Sequence, residues 1–324
     1  MNKYGLSVII PTRNEALLDF TIENVLRVAG VVPVEILVIN DGGIALPESK
    51  YKEVKIHTFD KPIGLAYARD FALKEMAQYE QCFIIDAHMD FSYNSFEPLV
   101  SYLQENKNHL TCFKVRGLDS ESKDWTNSEY YGADIQLCTF DARQGQGRLF
   151  PSKWTQSPAI REGWKAGKVQ EVCGILGACY GINKTHYLET LGRPWNKNRG
   201  WGTSEQSISI PNWLLGGKSV LMPFDCAHYF KKAHEGHRIN VRDIIYNQLK
   251  LMATVAPSPF KAKLENFLYE HCKLYSFVEW QQAQLQLEQL KVFEYTEFIK
   301  ANQKRGFEDW IDYFKIENPF EEKE

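Results

Sequence analysis

The stretch Phe83-Ile-Ile-Asp86-Ala-His88 puts a carboxylate and an imidazole two positions apart at the end of a short apolar run. Side chains at i and i+2 of an extended backbone project to the same side. Asp86 and His88 can therefore hold one cation from one edge of a sheet. One oxygen and one nitrogen donor, with other positions left for phosphate oxygens, suit Mn²⁺ or a comparable divalent ion such as Mg²⁺. Taken alone, an Asp-x-His is more often a capping aspartate followed by a surface histidine. His234-Glu-Gly-His237 reads as a mobile polar loop sooner than as a second metal pair. Of Trp125, Tyr130, Tyr131, Trp154 and Trp164, at most two are expected to stack on a ligand, and the rest belong to the core.

These residues need a scaffold that presents strand ends. Apolar, β-branched runs at 6–10, 34–39, 54–59 and 82–85 read as buried strands, the first stopped by Pro11. Thr12-Arg-Asn-Glu opens an amphipathic helix to about residue 28, and 65–78 reads as a second helix. Strands alternating with helices predict an α/β, doubly wound, mostly parallel sheet, whose ligands sit beyond the carboxyl ends of the strands. Asp41, Asp60 and Asp86 all lie just past such ends. Residues 99–168 read as loops and short strands that shape a pocket, and 172–232 as a second ordered block. Beyond Pro257-Ser-Pro259 the chain reads as helical. The expected division is 1–235, a catalytic domain with a nucleotide-binding half at 1–98 and an acceptor and metal half at 99–235, followed by 236–324, a basic loop and helical extension. Residues 231–263 carry a net charge of +5 and 264–324 a net of −6.

Composition narrows the class. At 324 residues and 13% aromatic, the chain can bury a substantial core, which excludes collagen-like and wholly disordered proteins. The most apolar stretch, 25–39, is broken by Arg27, Pro33 and Glu35, too often for a membrane span. Met1 to Tyr4 leave no room for a signal peptide before the first strand. Seven cysteines without a CxxC pair are expected to be reduced thiols in a cytoplasmic protein. A net charge of −3 argues against a generic polyanion binder.

Several segments, in order across residues 5–235, resemble glycosyltransferases of the GT-A fold, family 2, and more closely the polypeptide N-acetylgalactosaminyltransferases. They are Val8-Ile-Ile-Pro-Thr12-Arg-Asn14-Glu15-Ala16, the turn Asn40-Asp41-Gly42-Gly43, Gly64-Leu-Ala-Tyr-Ala-Arg69 and Asp86-Ala-His88. Gly174 to Asn183 with Tyr187 to Gly192, Arg199-Gly-Trp201-Gly-Thr-Ser-Glu205, and Cys226-Ala-His228-Tyr-Phe-Lys231-Lys232 follow. Two departures stand out. The Trp201-to-Glu205 spacing is one residue longer than in the family, so Ser204 or Glu205 can occupy the carboxylate's place, and Lys231 stands where the family has Arg. A lectin-like repeat is absent from the tail.

The resemblance implies transfer of a sugar from a nucleotide-diphosphate donor, a UDP-sugar, to a hydroxyl acceptor. It implies Mn²⁺ or Mg²⁺ held by Asp86, His88 and His228. Thr12, Asn14, Glu15 and Asp41 then line the nucleotide site, with Asp60 a weaker candidate. Lys231 or Arg69 adds positive charge at the diphosphate, and Trp201 and Glu205 belong to the catalytic segment. Glu205 is the base if the enzyme inverts, whereas likeness to the N-acetylgalactosaminyltransferases implies retention without one. The acceptor is a glycan or protein Ser/Thr, ranked above a hydroxymethylated DNA base, which the basic run alone supports. Two rivals stand beside this reading. One is a non-catalytic GT-A protein that binds a nucleotide sugar or polyanion. The other is a nucleotidyltransferase, although Pro11-Thr-Arg-Asn-Glu is not its Gly-rich phosphate loop.

Overall fold

A computed structural model describes residues 4–141, 146–175, 178–230, 240–271 and 277–321. Lys231 and the His234–His237 pair fall outside the described residues, as do parts of the basic run. The first strands are β1 (Leu6–Thr12), β2 (Val34–Asp41), β3 (Val54–Phe59), β4 (Gln81–Ile85), β5 (Met89–Phe91) and β6 (His109–Gly117). The short β7 (Ala133–Ile135), β8 (Cys138–Asp141), β9 (Gln146–Leu149) and β10 (Ser152–Trp154) pair among themselves as two antiparallel ribbons. Next come β11 (Gln170–Val172), β12 (Cys179–Asn183) and β13 (Lys218–His228). The main sheet runs β11-β13-β6-β12-β4-β1-β2-β3, with β5 paired to β13. Its first half, β4-β1-β2-β3, is wholly parallel, and β12 enters antiparallel between β4 and β6.

Helices α1 (Leu18–Ala29), α2 (Leu65–Phe71), α3 (Phe96–Glu105), α4 (Pro158–Lys165) and α5 (Ser204–Leu214) flank the sheet. The chain continues into α6 (Val241–Val255), α7 (Ser258–His271), α8 (Phe277–Gln289), α9 (Val292–Asn302) and α10 (Phe307–Phe314). One face of the sheet packs on Ile22, Val25, Phe96 and Leu99 from α1 and α3. The other shares a core with Leu249, Leu264, Trp280, Ile299 and Trp310, so the C-terminal helices are built into the fold. Among the described residues no helix is long and apolar enough to cross a membrane.

Three local expectations are corrected. Pro11 does not stop β1, which stays in register with β2 through Thr12 opposite Asn40. The ladder to β4 ends at Ile9, so Pro11 lies where β1 has a single neighbour, a setting that tolerates a missing N–H. The first helix starts at Leu18, without a side-chain cap, and not at Thr12. Asn14 takes φ +56 and its Oδ1 accepts from the Ile44 N–H at 2.7 Å, and the 13–17 segment stays a loop. The third is β6, a nine-residue, largely buried strand in a region read as loops and short strands. Its Lys114 hid the apolar pattern. The ammonium is buried but paired with Glu129 at 2.9 Å and Asp225 at 3.1 Å.

Candidate active site

The carboxyl ends of β1, β2 and β4 open on one cavity of about 900 Å³. Its walls include Thr12, Glu15, Asp41, Gly64, Asp86 and His88, together with Lys197, Arg199, Trp201, Asp243 and Leu290. The parallel register sets Thr12 beside Asn40 and brings Asp86 to the same edge one strand away.

Asp86, His88 and His228 converge, with one ligand atom from each within 4.8 Å of the others. His228 comes from the last residue of β13, which pairs antiparallel with β5 so that His228 lies opposite Met89. Its Nε2 is 3.0 Å from His88 Nε2 and 3.2 Å from Asp86 Oδ2. His88 Nδ1 faces Glu15 Oε2 at 3.2 Å. A carboxylate there fixes the proton on Nδ1 and leaves the Nε2 lone pair pointing at the cluster, as in carboxylate–histidine–metal arrangements.

Electrostatics suit a cation. Burial alone raises the Asp86 pKa, but the hydrogen bond from His228 and the charges of His228, His88 and Arg69 outweigh it and hold the carboxyl below its usual range. Burial lowers His228, against the pull of Asp86. Both shifts favour the ligating forms, carboxylate and neutral imidazole. The two-nitrogen, one-carboxylate donor set fits Mn²⁺ and similar divalent ions.

Thr12 and Asp41 also line the cavity. Thr12 Oγ1 is buried and has no hydrogen-bond partner among the described residues. Asp41 receives the Ile63 N–H at 2.6 Å and the Gly64 N–H at 3.1 Å. Gly64 is needed there: its φ is +98, and a Cβ would sit 2.6 Å from the Gly200 nitrogen. Asn14 braces the turn through Ile44 and is exposed, outside the cavity lining. Asp60 is exposed as well, and does not line the cavity.

Arg69 and Glu205 sit behind the cluster. Arg69, 2% exposed, lies over the rings of Tyr180 at 4.9 Å and Trp195 at 5.6 Å. Its guanidinium stands 3.6 Å from Asp86 and 3.7 Å from Glu205, while Nε and Nη1 have no hydrogen-bond partner. Glu205, in the first turn of α5, accepts from the Tyr180 hydroxyl at 2.9 Å. Neither side chain is in the cavity lining, and the Arg69 guanidinium stands between the two carboxylates. Ser204 is buried. Of the aromatic candidates, Tyr130 and Trp154 stack at 4.9 Å, and Phe230 joins Tyr130 at 5.4 Å and His228 at 4.6 Å. Tyr131 is buried, Trp164 sits 3.9 Å from the Lys114 ammonium, and Trp125 bonds to Asp90.

Lys197, Asp243 and Leu290 were missed in the sequence. They meet the cavity only through tertiary packing of segment 194–203 and the C-terminal helices, and no spacing announces them. Arg199 stood in the Arg-Gly-Trp segment, which was the one available signal.

Comparison with known proteins agrees with this architecture. The family model "Glycosyl transferase family 2" matches residues 7–162. Polypeptide N-acetylgalactosaminyltransferase 3 of Mus musculus is 24% identical over 260 residues, covering 76% of this chain and 40% of that protein. The Homo sapiens protein of the same name gives the same figures. The crystal structure of GalNAc-T7 with UDP, GalNAc and Mn²⁺ superposes with a TM-score of 0.72 at 14% identity, covering 96% of this chain and 57% of that one. The chain thus spans about two fifths of the curated relatives' length, and the last comparison establishes the GT-A fold.

Proposed function

We propose that this chain, a GT-A-fold protein that carries a family 2 glycosyl transferase domain and resembles the polypeptide N-acetylgalactosaminyltransferases, is a metal-dependent glycosyltransferase. It moves a sugar from a UDP-sugar to a hydroxyl acceptor. The observation that carries the reading is the convergence of Asp86, His88 and His228, the first two in the lining of a cavity large enough for a nucleotide sugar and the third directly behind them. When bound there, a divalent cation supplies Lewis-acid neutralisation of the departing diphosphate. Glu15 orients His88 for that ion, and Arg69 keeps Asp86 and Glu205 at fixed separation. Thr12 and the outer lone pairs of Asp41 hold the nucleoside, and Trp201, half-exposed in the cavity lining, covers the donor.

Glu205 is engaged by Tyr180 and lies outside the cavity lining, a poor place for a base. The acceptor proton then passes to the leaving phosphate on the same face, and the anomeric configuration is retained. Tyr130, Trp154 and Phe230, beside His228, offer an apolar platform to a glycan or a Ser/Thr segment of a protein. Of the basic run that supports the DNA alternative, Lys250 is 3% exposed and cannot contact a phosphate backbone, whereas Lys261 and Lys263 are exposed. The relatives' names make UDP-N-acetylgalactosamine the first donor to try. Calorimetry of UDP with Mn²⁺ tests the site, and labelled donor with glycan, peptide and hydroxymethylated DNA panels tests the acceptor. Binding that EDTA abolishes, followed by label in the glycan or peptide panel, is expected. UDP binding that is indifferent to EDTA contradicts the metal assignment, and label in DNA alone contradicts the acceptor ranking.

A further inference from the structure

We infer that Asn247, on α6, is a positioning residue that fixes the cavity wall formed by residues 199–201; the inference rests on reading that cavity as the nucleotide-sugar site. Segment 194–203 has no regular secondary structure, and Lys197, Gly200, Gly202 and Thr203 all take positive φ. Its backbone groups have no helix or sheet ladder and must find partners elsewhere. Asn247, 1% exposed, supplies them. Its Oδ1 accepts from the Arg199 N–H at 2.9 Å. Its Nδ2 donates to Arg199 O at 2.7 Å, to Gly202 O at 3.1 Å and, more weakly, to Trp201 O at 3.4 Å.

Two neighbours on α6 anchor the upstream part. The Tyr246 hydroxyl donates to Lys197 O at 2.9 Å, and the Lys250 ammonium donates to Pro194 O at 2.6 Å. Of the three, Asn247 alone engages both the N–H and the C=O of one residue, as a strand partner would. On the opposite side the Leu65 N–H donates to Gly200 O at 3.1 Å. The segment is thus clamped between the start of α2 and α6, and Arg199 and Trp201 project from the clamped main chain onto the cavity. Releasing the α6 side frees that wall to shift, and small displacements of positioned groups cost much of their effect.

The test compares full-length wild type, Asn247→Ala and Asn183→Ala. Asn183 is equally buried, and its Nδ2 donates to Leu103 O at 2.7 Å and Lys107 O at 3.1 Å, away from the cavity lining. It controls for the general loss of a buried amide. Hydrogen exchange over 196–203 and UDP affinity with Mn²⁺ are the readouts. Asn247→Ala is expected to speed exchange there and raise the UDP dissociation constant about tenfold. The donor KM rises while kcat stays within about twofold. Asn183→Ala lowers the melting temperature and changes neither readout. If Asn247→Ala fails to fold, Asn247→Asp keeps the acceptor for Arg199 and removes the donors, with the same expectation. Unchanged exchange, or faster exchange with UDP affinity intact, overturns the assignment. A wild type that does not bind UDP refutes the nucleotide reading, while the exchange comparison still decides whether Asn247 fixes the segment.

Discussion

Glu15 does its work through His88. A Glu15→Gln variant keeps the shape of the side chain but gives up the carboxylate that faces His88 Nδ1 at 3.2 Å. It should weaken Mn²⁺ binding roughly 10- to 100-fold, read by electron paramagnetic resonance titration. An unchanged affinity would show that His88 needs no orienting partner. Arg69 is the second test at this scale. Arg69→Met leaves Asp86 and Glu205 facing each other without the cation between them. Removing one partner of a buried ion pair costs about 3–5 kcal/mol. A fall of that order in unfolding free energy is expected, and a drop under about 1 kcal/mol would mean that the guanidinium contributes little. The Asp-x-His spacing of Asp86 and His88 was legible in the sequence, but the two residues lie in the bend between β4 and β5 and not on a strand, so their convergence owes nothing to a two-residue period. His228, 140 positions from His88, was legible only by resemblance, since no local rule reaches across that separation.

The loop between β1 and α1 shows why element boundaries were harder to read. Thr12 followed by Asn14 and Glu15 has the composition of a helix start, yet Asn14 bonds to Ile44 and no side chain caps α1. A tertiary partner won over the local one, and the result leaves Thr12 and Glu15 facing the cavity. Strand β6 was hidden for a related reason, because the pairing that buries Lys114 lies in other elements. At the meeting of α2 with segment 194–203, Gly64→Ala combines a positive φ with a Cβ that has no room. A loss of about 1–3 kcal/mol is expected from the backbone alone, together with weaker UDP binding by calorimetry; wild-type stability and affinity in this variant would contradict the close approach. On α6, burial pushes the Lys250 ammonium down to about 7. The unfolded chain then binds more protons than the folded one between about pH 7 and pH 10.4, so stability gains with rising pH through that window. Denaturant midpoints of wild type should improve relative to Lys250→Met from pH 7 to pH 10. Parallel curves would mean that Lys250 titrates as it does in water.

At the scale of the molecule, the alternation of strands and helices in the first ninety residues announced the parallel half of the sheet, and buried β-branched runs carried that signal. The antiparallel β12 and the placement of the C-terminal helices had no such signature, because they depend on which faces remain uncovered once the sheet has formed. Those helices bury Leu264, Trp280, Ile299 and Trp310 in the core shared with the sheet, and the turn after α8 brings Leu290 to the cavity. A chain ending at residue 256 is therefore expected to lose cooperative unfolding in calorimetry, and a truncated chain that melts like the full one would show the extension to be dispensable. The metal-dependent transfer chemistry is tested most directly by UDP release from a panel of UDP-sugars, without acceptor, by wild type and Asp86→Asn, with Mn²⁺ and with EDTA. The expected result is hydrolysis of one donor that needs Mn²⁺ and disappears in the variant. Hydrolysis that persists in EDTA and in Asp86→Asn would contradict the assignment of the cluster as the catalytic metal site.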